Sequence, residues 1–535
     1  MSTQPLTQKS AAGWIAAALA TLPFLQALPV DFDRSGALIL LLPGLWAGRG
    51  QLTQIVARMR SGPAWLRFSA GAIPVAVTLS VAMADQPSPA LVTAASWVIL
   101  AAAGLIVAQL VGTDASSSRR LLAGMALGTA AGSLAVWALW WLGDRGMVPL
   151  YAHPRHLGLH TLSGALASTW LFAHSRETRP RRIFWAIVGT ASWGGLLWSG
   201  GRTPLLALAG ALVLWWIFSA TADRKALVRA TALFLFLGLA LSSAFWTSRP
   251  ELGWWHALHR TATAAANGST SELTSTRNDF WGVAAGRARA APWLGHGPDS
   301  YRFLTPKLDG QQPHNFVLQL WLEVGIVGML PALVLLGGAL LCGWPLASRS
   351  NDTAALAWLA ILSASVAAGL LDGVFYHLVA FLPAALAMGA ALGLGLKSRP
   401  PAKPSPAPHV ILGAAGVIIA LHMFLFYSLA LATPPAPSAW PARWVRAFPS
   451  STFGLWRWLD TWQIDNPDVA LEWARWAQGH SPNPIVFHVY AARLLLAQGH
   501  REAAESELRA AESKAHWSTR PAIQAMLREL PPASP

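Results

Sequence analysis

The stretch Pro313-His314-Asn315-Phe316-Val317-Leu318-Gln319-Leu320, continuing to Glu323, Gly325 and Gly328, sets polar side chains at the mouth of a long apolar helix. Polar and ionisable groups are costly at membrane depth, so those present there carry a functional expectation. Pro313 fixes the entry, which puts His314 at or near the first helical position. A positive helix end disfavours imidazolium, so His314 is expected to be neutral near pH 7. A neutral imidazole accepts a proton from an attacking hydroxyl, which is general-base work. Asn315 and Gln319 lie one turn apart, as do Gln319 and Glu323; they orient a substrate or brace the helix.

Two further clusters offer positive charge. In Ser199-Gly200-Gly201-Arg202-Thr203-Pro204, the arginine opens a helix, where backbone N–H groups also favour an anion. A guanidinium suits bidentate contact with phosphate. The second cluster is Arg277-Asn278-Asp279-Phe280-Trp281, followed by Pro292-Trp293-Leu294-Gly295-His296-Gly297. Here Arg277 is a candidate anion ligand, Arg287 and Arg289 read as solvated, and Gly295 and Gly297 suggest a turn closing over a site. His153, Arg155, His156 and His160 form another polar group, and Asp372, Tyr376 and His377 a last one. Asp372 would pair with an arginine or orient His314. For His153 and Arg155, a supporting role at the site and a structural role both stand. No His-Glu-x-x-His and no cysteine cluster suggests a metal cage, so no metal and no cofactor is expected. No P-loop suggests nucleotide coupling.

The elements that must position these residues are membrane helices. The 535 residues are 54% hydrophobic and 12% charged, about half the charged share of a soluble domain. The net charge of +15 could suggest nucleic acid, but Lys and Arg cluster in short loops between apolar runs, so no nucleic-acid partner is expected. The single cysteine, Cys342, excludes an intramolecular disulfide and reads as a small core residue. The run from Gly13 to Val30 reads as an uncleaved first span. Apolar runs near 12–30, 35–48, 64–84, 90–112, 121–142, 157–174, 184–199, 203–220, 230–246, 314–344, 354–372, 376–395 and 410–432 give an all-α polytopic membrane protein of about 12–13 spans.

Arg49, Arg58 and Arg60, then Arg119 and Arg120, Arg179, Arg181 and Arg182, Arg224 and Lys225, Arg349, and Lys397 with Arg399 fall on alternate connections. By the positive-inside rule these face the cytoplasm, and every candidate site residue faces the periplasm. The expected division is 1–246, N-terminal spans; 247–313, a periplasmic loop with site elements; 314–432, C-terminal spans; and 433–535, a periplasmic tail. The tail follows a proline-rich linker and resembles a tetratricopeptide helix–turn–helix, with Asn466-Pro467 and Asn483-Pro484 opening helices and Val486, Tyr490 and Leu494 forming a stripe. It binds a partner or caps the bundle. Trp254, Trp255, Trp281 and Trp293 either pack on the membrane surface or stack against sugar rings.

On Ser199-Gly200-Gly201-Arg202-Thr203, Arg277-x-x-x-Trp281, Pro292-Trp293-Leu294-Gly295-His296-Gly297 and His314-Asn315-x-x-Leu318-Gln319-x-x-x-Glu323-x-Gly325, the chain resembles the O-antigen ligase and O-antigen polymerase superfamily of bacterial envelope glycosyltransferases. The resemblance covers roughly residues 90–395. It implies a GT-C-like membrane fold in the bacterial inner membrane and a metal-independent, inverting transfer on the periplasmic face. The implied donor is a glycan on undecaprenyl diphosphate, and the ligase acceptor is lipid A–core. Arg202 and Arg277 would then hold the diphosphate, with His314 catalytic. The tail is not typical of simple lipopolysaccharide ligases; such tails do occur in the pilin O-oligosaccharyltransferases of the same superfamily, which glycosylate protein. Those enzymes often carry a Gln-Pro-Asn-type element where this chain has His153-Pro154-Arg155-His156. A polymerase is a further alternative. A lipid-linked saccharide transporter, from a different class, would need polar groups spread through several spans; here they gather at one face.

Overall fold

A computed structural model of the chain describes residues 4–25, 36–143, 150–151, 153–175, 178–247, 249, 252–268, 277–303, 312–403, 406–431, 443, 445–446, 455–481, 484–515 and 520–530. Within them the chain is helical: α1 (Gln4–Leu25), α2 (Leu42–Ala47), α3 (Arg49–Arg60), α4 (Ala64–Ala82), α5 (Pro87–Thr113), α6 (Ala115–Trp141), α7 (Pro154–Ala173), α8 (Arg179–Trp198), α9 (Arg202–Phe218) and α10 (Thr221–Ala244) precede the insertion helices α11 (Trp254–Ala266) and α12 (Arg277–Ala290). Then follow α13 (Phe316–Ser350), α14 (Thr353–Gly369), α15 (Leu378–Leu396) and α16 (Ala407–Leu431), and a tail of α17 (Leu455–Asp465), α18 (Pro467–His480), α19 (Pro484–Ala497), α20 (Arg501–Lys514) and α21 (Arg520–Arg528). No strand occurs among the described residues.

Seven of the described helices (α4, α5, α6, α10, α13, α15 and α16) are long and apolar enough to cross a membrane, and α9 and α14 are shorter apolar helices. Their outward faces carry large apolar side chains such as Phe236, Val410 and Leu206, each about 70% exposed. Such surfaces suit a lipid solvent. The protein is a multi-pass membrane protein. Each apolar run lies largely on a helix, except 35–48, which forms a 3₁₀ turn over Gly36–Leu41 and the six-residue α2. Gly44 of α2 meets Ile15 of α1, and Gly48 meets Ile106 of α5, so this short piece fills a notch between two long helices. Cys342 lies exposed on α13 rather than in the core.

Helix α5 sits at the centre. Gly104 approaches the Ala385 carbonyl of α15, and Gly389 of α15 approaches the Gly104 backbone, a close crossing built from small residues. The connections at one end of the bundle are stitched together. Gly253 N–H donates to the Trp198 carbonyl at 2.7 Å and Asp85 N–H to the His296 carbonyl at 3.2 Å. Asn315 Nδ2 reaches the Leu370 carbonyl at 3.1 Å. The insertion helix α12 lays Phe280, Ala284 and Ala288 against Leu322 of α13 and Tyr301.

Helix α13 is broken. Gly325 adopts φ 63°, ψ −175° inside it. The segment Pro292–Gly297 docks at the break: His296 N–H donates to the Leu322 carbonyl, Gly297 N–H to that of Glu323, and Ile326 and Val327 N–H to those of Pro292 and Trp293, at 2.8–3.2 Å. The backbone groups that the broken helix loses are thus repaid by a loop, as burial requires. Ser80 Oγ donates to the Glu323 carbonyl at 2.6 Å. The Gly295–Gly297 turn therefore staples the insertion to α13. A Cβ on Gly325 would strike the Trp293 carbonyl group, which is backbone and cannot rotate away. Gly325→Ala is expected to cost about 2 kcal/mol or more and to lower the thermal unfolding midpoint in detergent. An unchanged midpoint would show that the staple contributes nothing.

The tail helices pack in sequence about a separate core of Trp458, Trp462, Trp473, Phe487 and Leu508. Pro467 and Pro484 open α18 and α19 as expected; Asn483 lies outside the described residues. Of the expected stripe, Leu494 is buried in this core and Tyr490 packs against it, whereas Val486 is 41% exposed; Phe487, Ala491 and Leu495 are buried beside them, because α19 packs between α18 and α20 and covers a broader face. Gln86 Nε2 touches the Gly479 carbonyl at 3.3 Å, joining the tail to the stitched end of the bundle.

Candidate active site

His314 does not lie on the helix. Asn315 is the N-cap of α13, its Oδ1 accepting from the Val317 and Leu318 N–H groups at 3.0 Å. His314 precedes the cap and adopts φ 55°, a left-handed conformation uncommon for a residue with a side chain. Such backbone costs on the order of 1–3 kcal/mol and persists where the surroundings hold it. His314 is therefore not the first helical residue that the sequence suggested, and three side-chain partners hold its imidazole in place.

The first partner is Asp372. Its Oδ1 lies 3.1 Å from His314 Nδ1 and accepts the Gly373 N–H at 2.8 Å. Its Oδ2 lies 3.7 Å from an Arg277 guanidinium nitrogen. Asp372 is 4% exposed, and burial alone would raise its carboxyl pKa. The hydrogen bond from His314 and the positive charges of Arg155 and Arg277 outweigh burial and hold the carboxyl well below its usual range. Asp372 is thus an anion throughout the physiological range. The second partner is Gln312, which contacts both the backbone and the ring of His314. The third is Phe280 of α12, whose ring meets the imidazole edge-on at 5.5 Å between centroids.

Positive charge gathers at the same end. Arg277 opens α12 and is buried, which lowers its pKa; the Asp372 carboxylate opposes this, and Arg155 and Arg202 add to it. Arg202 opens α9 after Gly201, with Gly200 in the left-handed region. Arg260 of α11 donates to the Gly200 carbonyl at 2.9 Å, a tie the sequence reading did not pick out. Arg155, Arg202 and Arg277 thus act electrostatically on one another with the Asp372 carboxylate among them, an arrangement suited to a multiply charged anion.

The remaining candidates divide. His153 caps α7, its Nδ1 accepting from the Arg155 N–H at 3.1 Å. His156, one turn into α7, lies 3.7 Å from the His377 ring between centroids, and Tyr376 meets His377 at 5.0 Å, so both polar groups flagged in the sequence meet here. His160 is not with them; its Nδ1 bonds the buried Tyr151 hydroxyl at 2.7 Å. Gln319 Nε2 donates to Glu323 Oε1 at 3.1 Å within α13, and both are buried below His314. Asn315 braces the turn rather than facing an open site. His296 is bound by Asp85 Oδ2 at 2.9 Å and the Arg287 carbonyl at 3.0 Å. Arg287 and Arg289 are exposed. Trp254, Trp255 and Trp281 are half-buried, Trp255 against the bundle core and Trp281 beside Phe280. Trp293 is 66% exposed.

Among the described residues, no group of three or more His, Cys, Asp or Glu side chains is arranged to hold a metal ion. Gln312 was missed because a glutamine two residues before a histidine has no motif of its own.

Residues 187–333 match a family model described as O-antigen ligase. The matched stretch holds Arg202, Arg277, His314, Asn315, Gln319 and Glu323, and not Arg155 or Asp372. No curated protein matches the chain.

Proposed function

We propose, from the premise that this chain is of the O-antigen ligase and polymerase superfamily, as its motifs and the matched segment support, that it transfers a glycan from a polyprenyl diphosphate, undecaprenyl diphosphate in bacteria, to an acceptor hydroxyl. The observation that carries this reading is the chain His314–Asp372–Arg277, with Arg155 acting on both the carboxylate and the guanidinium and Arg202 on the guanidinium. Arg202 and Arg277 hold the diphosphate. Nδ1–H of His314 donates to Asp372, which leaves Nε2 bare. Nε2 takes the acceptor's proton as its oxygen attacks the anomeric carbon from the face opposite the diphosphate. The anomeric C–O bond breaks, the electron pair leaves with the diphosphate, and the guanidinium charges stabilise it. The configuration inverts, and the proton on His314 passes to solvent. The arginines take the charge-stabilising role, so EDTA is expected to leave the transfer rate unchanged; loss of activity restored by a divalent ion would refute that part.

The basic connections argue for an inner-membrane protein with His314 facing the periplasm. Lipid A–core is the acceptor proposed first. The tail, with its own packed core resting by Gln86 against the stitched end, favours a second reading in which the acceptor is a protein such as a pilin. A deletion strain separates them. Loss of the O-antigen ladder over an intact core indicates ligation. One added repeat indicates polymerisation. An unglycosylated protein with normal lipopolysaccharide indicates protein O-glycosylation.

A further inference from the structure

Gln312 is 2% exposed and lies two residues before His314. The His314 backbone N–H donates to Gln312 Oε1 at 2.7 Å. A backbone N–H must face an acceptor, so this bond fixes the amide's orientation. Its Nε2 then lies toward the ring, 2.9 Å from His314 Nδ1. Asp372 Oδ1 lies 3.1 Å from the same nitrogen. An imidazole nitrogen has one in-plane site: Nδ1 accepts from Gln312 when bare or donates to Asp372 when protonated, never both. Space for the amide is provided by Gly373, where a Cβ would strike Gln312 Nε2 and sit 3.1 Å from His377 Cδ2.

We propose that Gln312 is a positioning residue for His314: it holds the backbone in its left-handed turn and competes with Asp372 for Nδ1, so that the neutral ring is shared between its two tautomers. The inference rests on the reading of His314 as the group that takes the acceptor's proton. With Nδ1–H on Asp372, Nε2 is ready to receive that proton. Once the ring carries both protons, the Gln312 amide hydrogens face Nδ1–H and oppose the charge that Asp372 favours, which speeds release of the proton for the next turnover. The other groups at this ring and carboxylate are Arg277 and Phe280 from α12 and Arg155 and His156 from α7.

The decisive variant is Gln312→Glu. It keeps an acceptor for the His314 N–H and replaces the donor at Nδ1 by a carboxylate oxygen. In membrane vesicles from a strain expressing the full chain, the acidic limb of the rate profile is expected to move up by about one pH unit or more, with the rate near neutrality falling about tenfold. A profile that superimposes on that of the unaltered protein would overturn the inference, since a glutamine that only fills space tolerates its isostere. A second measurement does not need turnover or the variant's folding. In ¹⁵N-histidine-labelled protein in nanodiscs, subtracting the His314→Ala spectrum isolates the ring, and both neutral tautomers are expected. A single Nδ1–H tautomer would overturn the inference. If His314→Ala retains transfer, the base reading fails while the ¹⁵N spectrum still decides the role of Gln312.

Discussion

His314→Ala is expected to lower glycan transfer by about 10²–10⁴-fold, the range a positioned general base supplies, while insertion and abundance stay unchanged. The imidazole meets the Asp372 carboxylate at 3.1 Å, and it sits ahead of the α13 cap rather than within the packed helix. Its removal opens no cavity in the bundle core. The left-handed backbone suits alanine no better than histidine, so the turn neither gains nor loses much. Asp372→Asn is expected to fall between the unaltered protein and the alanine variant, because the amide keeps the shape and discards the charge that steadies the imidazolium. The measurement is product formation at matched membrane abundance, with the protein quantified by immunoblot. Full activity in His314→Ala would sink the mechanism.

The second large effect is on donor binding. Arg277→Ala and Arg202→Ala are each expected to weaken binding of a polyprenyl diphosphate by about 10- to 100-fold, the scale of a charge-assisted contact. The two differ in kind. Arg277 also faces Asp372 at 3.7 Å, so its loss leaves a buried carboxylate short of a partner and slows the chemical step as well. Arg202 opens α9, and its loss removes a charge from both the bound and the departing diphosphate, so it should appear in affinity and in the chemical step without disturbing the His314–Asp372 contact. Lysine at either position is expected to restore part of the affinity, since a point charge lacks the guanidinium fork. Competition binding in detergent against undecaprenyl diphosphate reads the effect; unchanged affinity in both alanine variants would remove the diphosphate assignment.

Much of this arrangement was legible in the sequence, for reasons that particular residues make plain. Apolar runs locate helices because lipid leaves a backbone no alternative, and the family match on 187–333 bears out the resemblance carried by the Arg202, Arg277 and His314 motifs. From the sequence Asp372 reads as a partner for His314 or an arginine, and the fold gives it both. What stayed hidden depends on contacts between distant segments. Nothing local says that α13 breaks at Gly325, because the break is stable only with Pro292–Gly297 docked into it. Nothing local moves His314 off the helix, because Asn315 takes the cap and Gln312 holds the turn. The run 35–48 is apolar enough for a span, yet it folds as two short pieces because Ile15 and Ile106 occupy the space beside it. In the tail, that Phe487 joins Leu494 inward while Val486 turns out depends on which neighbours α19 meets.

The break in α13 has a mechanical meaning. A continuous helix of its 35 residues would be about 52 Å long, well beyond a hydrocarbon core of about 30 Å. Such a rod would carry every change in bilayer thickness, as tilt, straight to its tip. The joint at Gly325 uncouples the two halves. The lower part, 326–350, is left to tilt with the lipid, while 316–324 is tied to the insertion by Phe280, Ala284 and the loop at 292–297. The imidazole is therefore referenced to Arg277 on that insertion rather than to the membrane, and the spacing between His314 and Arg277 is insulated from the composition of the bilayer in which the chain works.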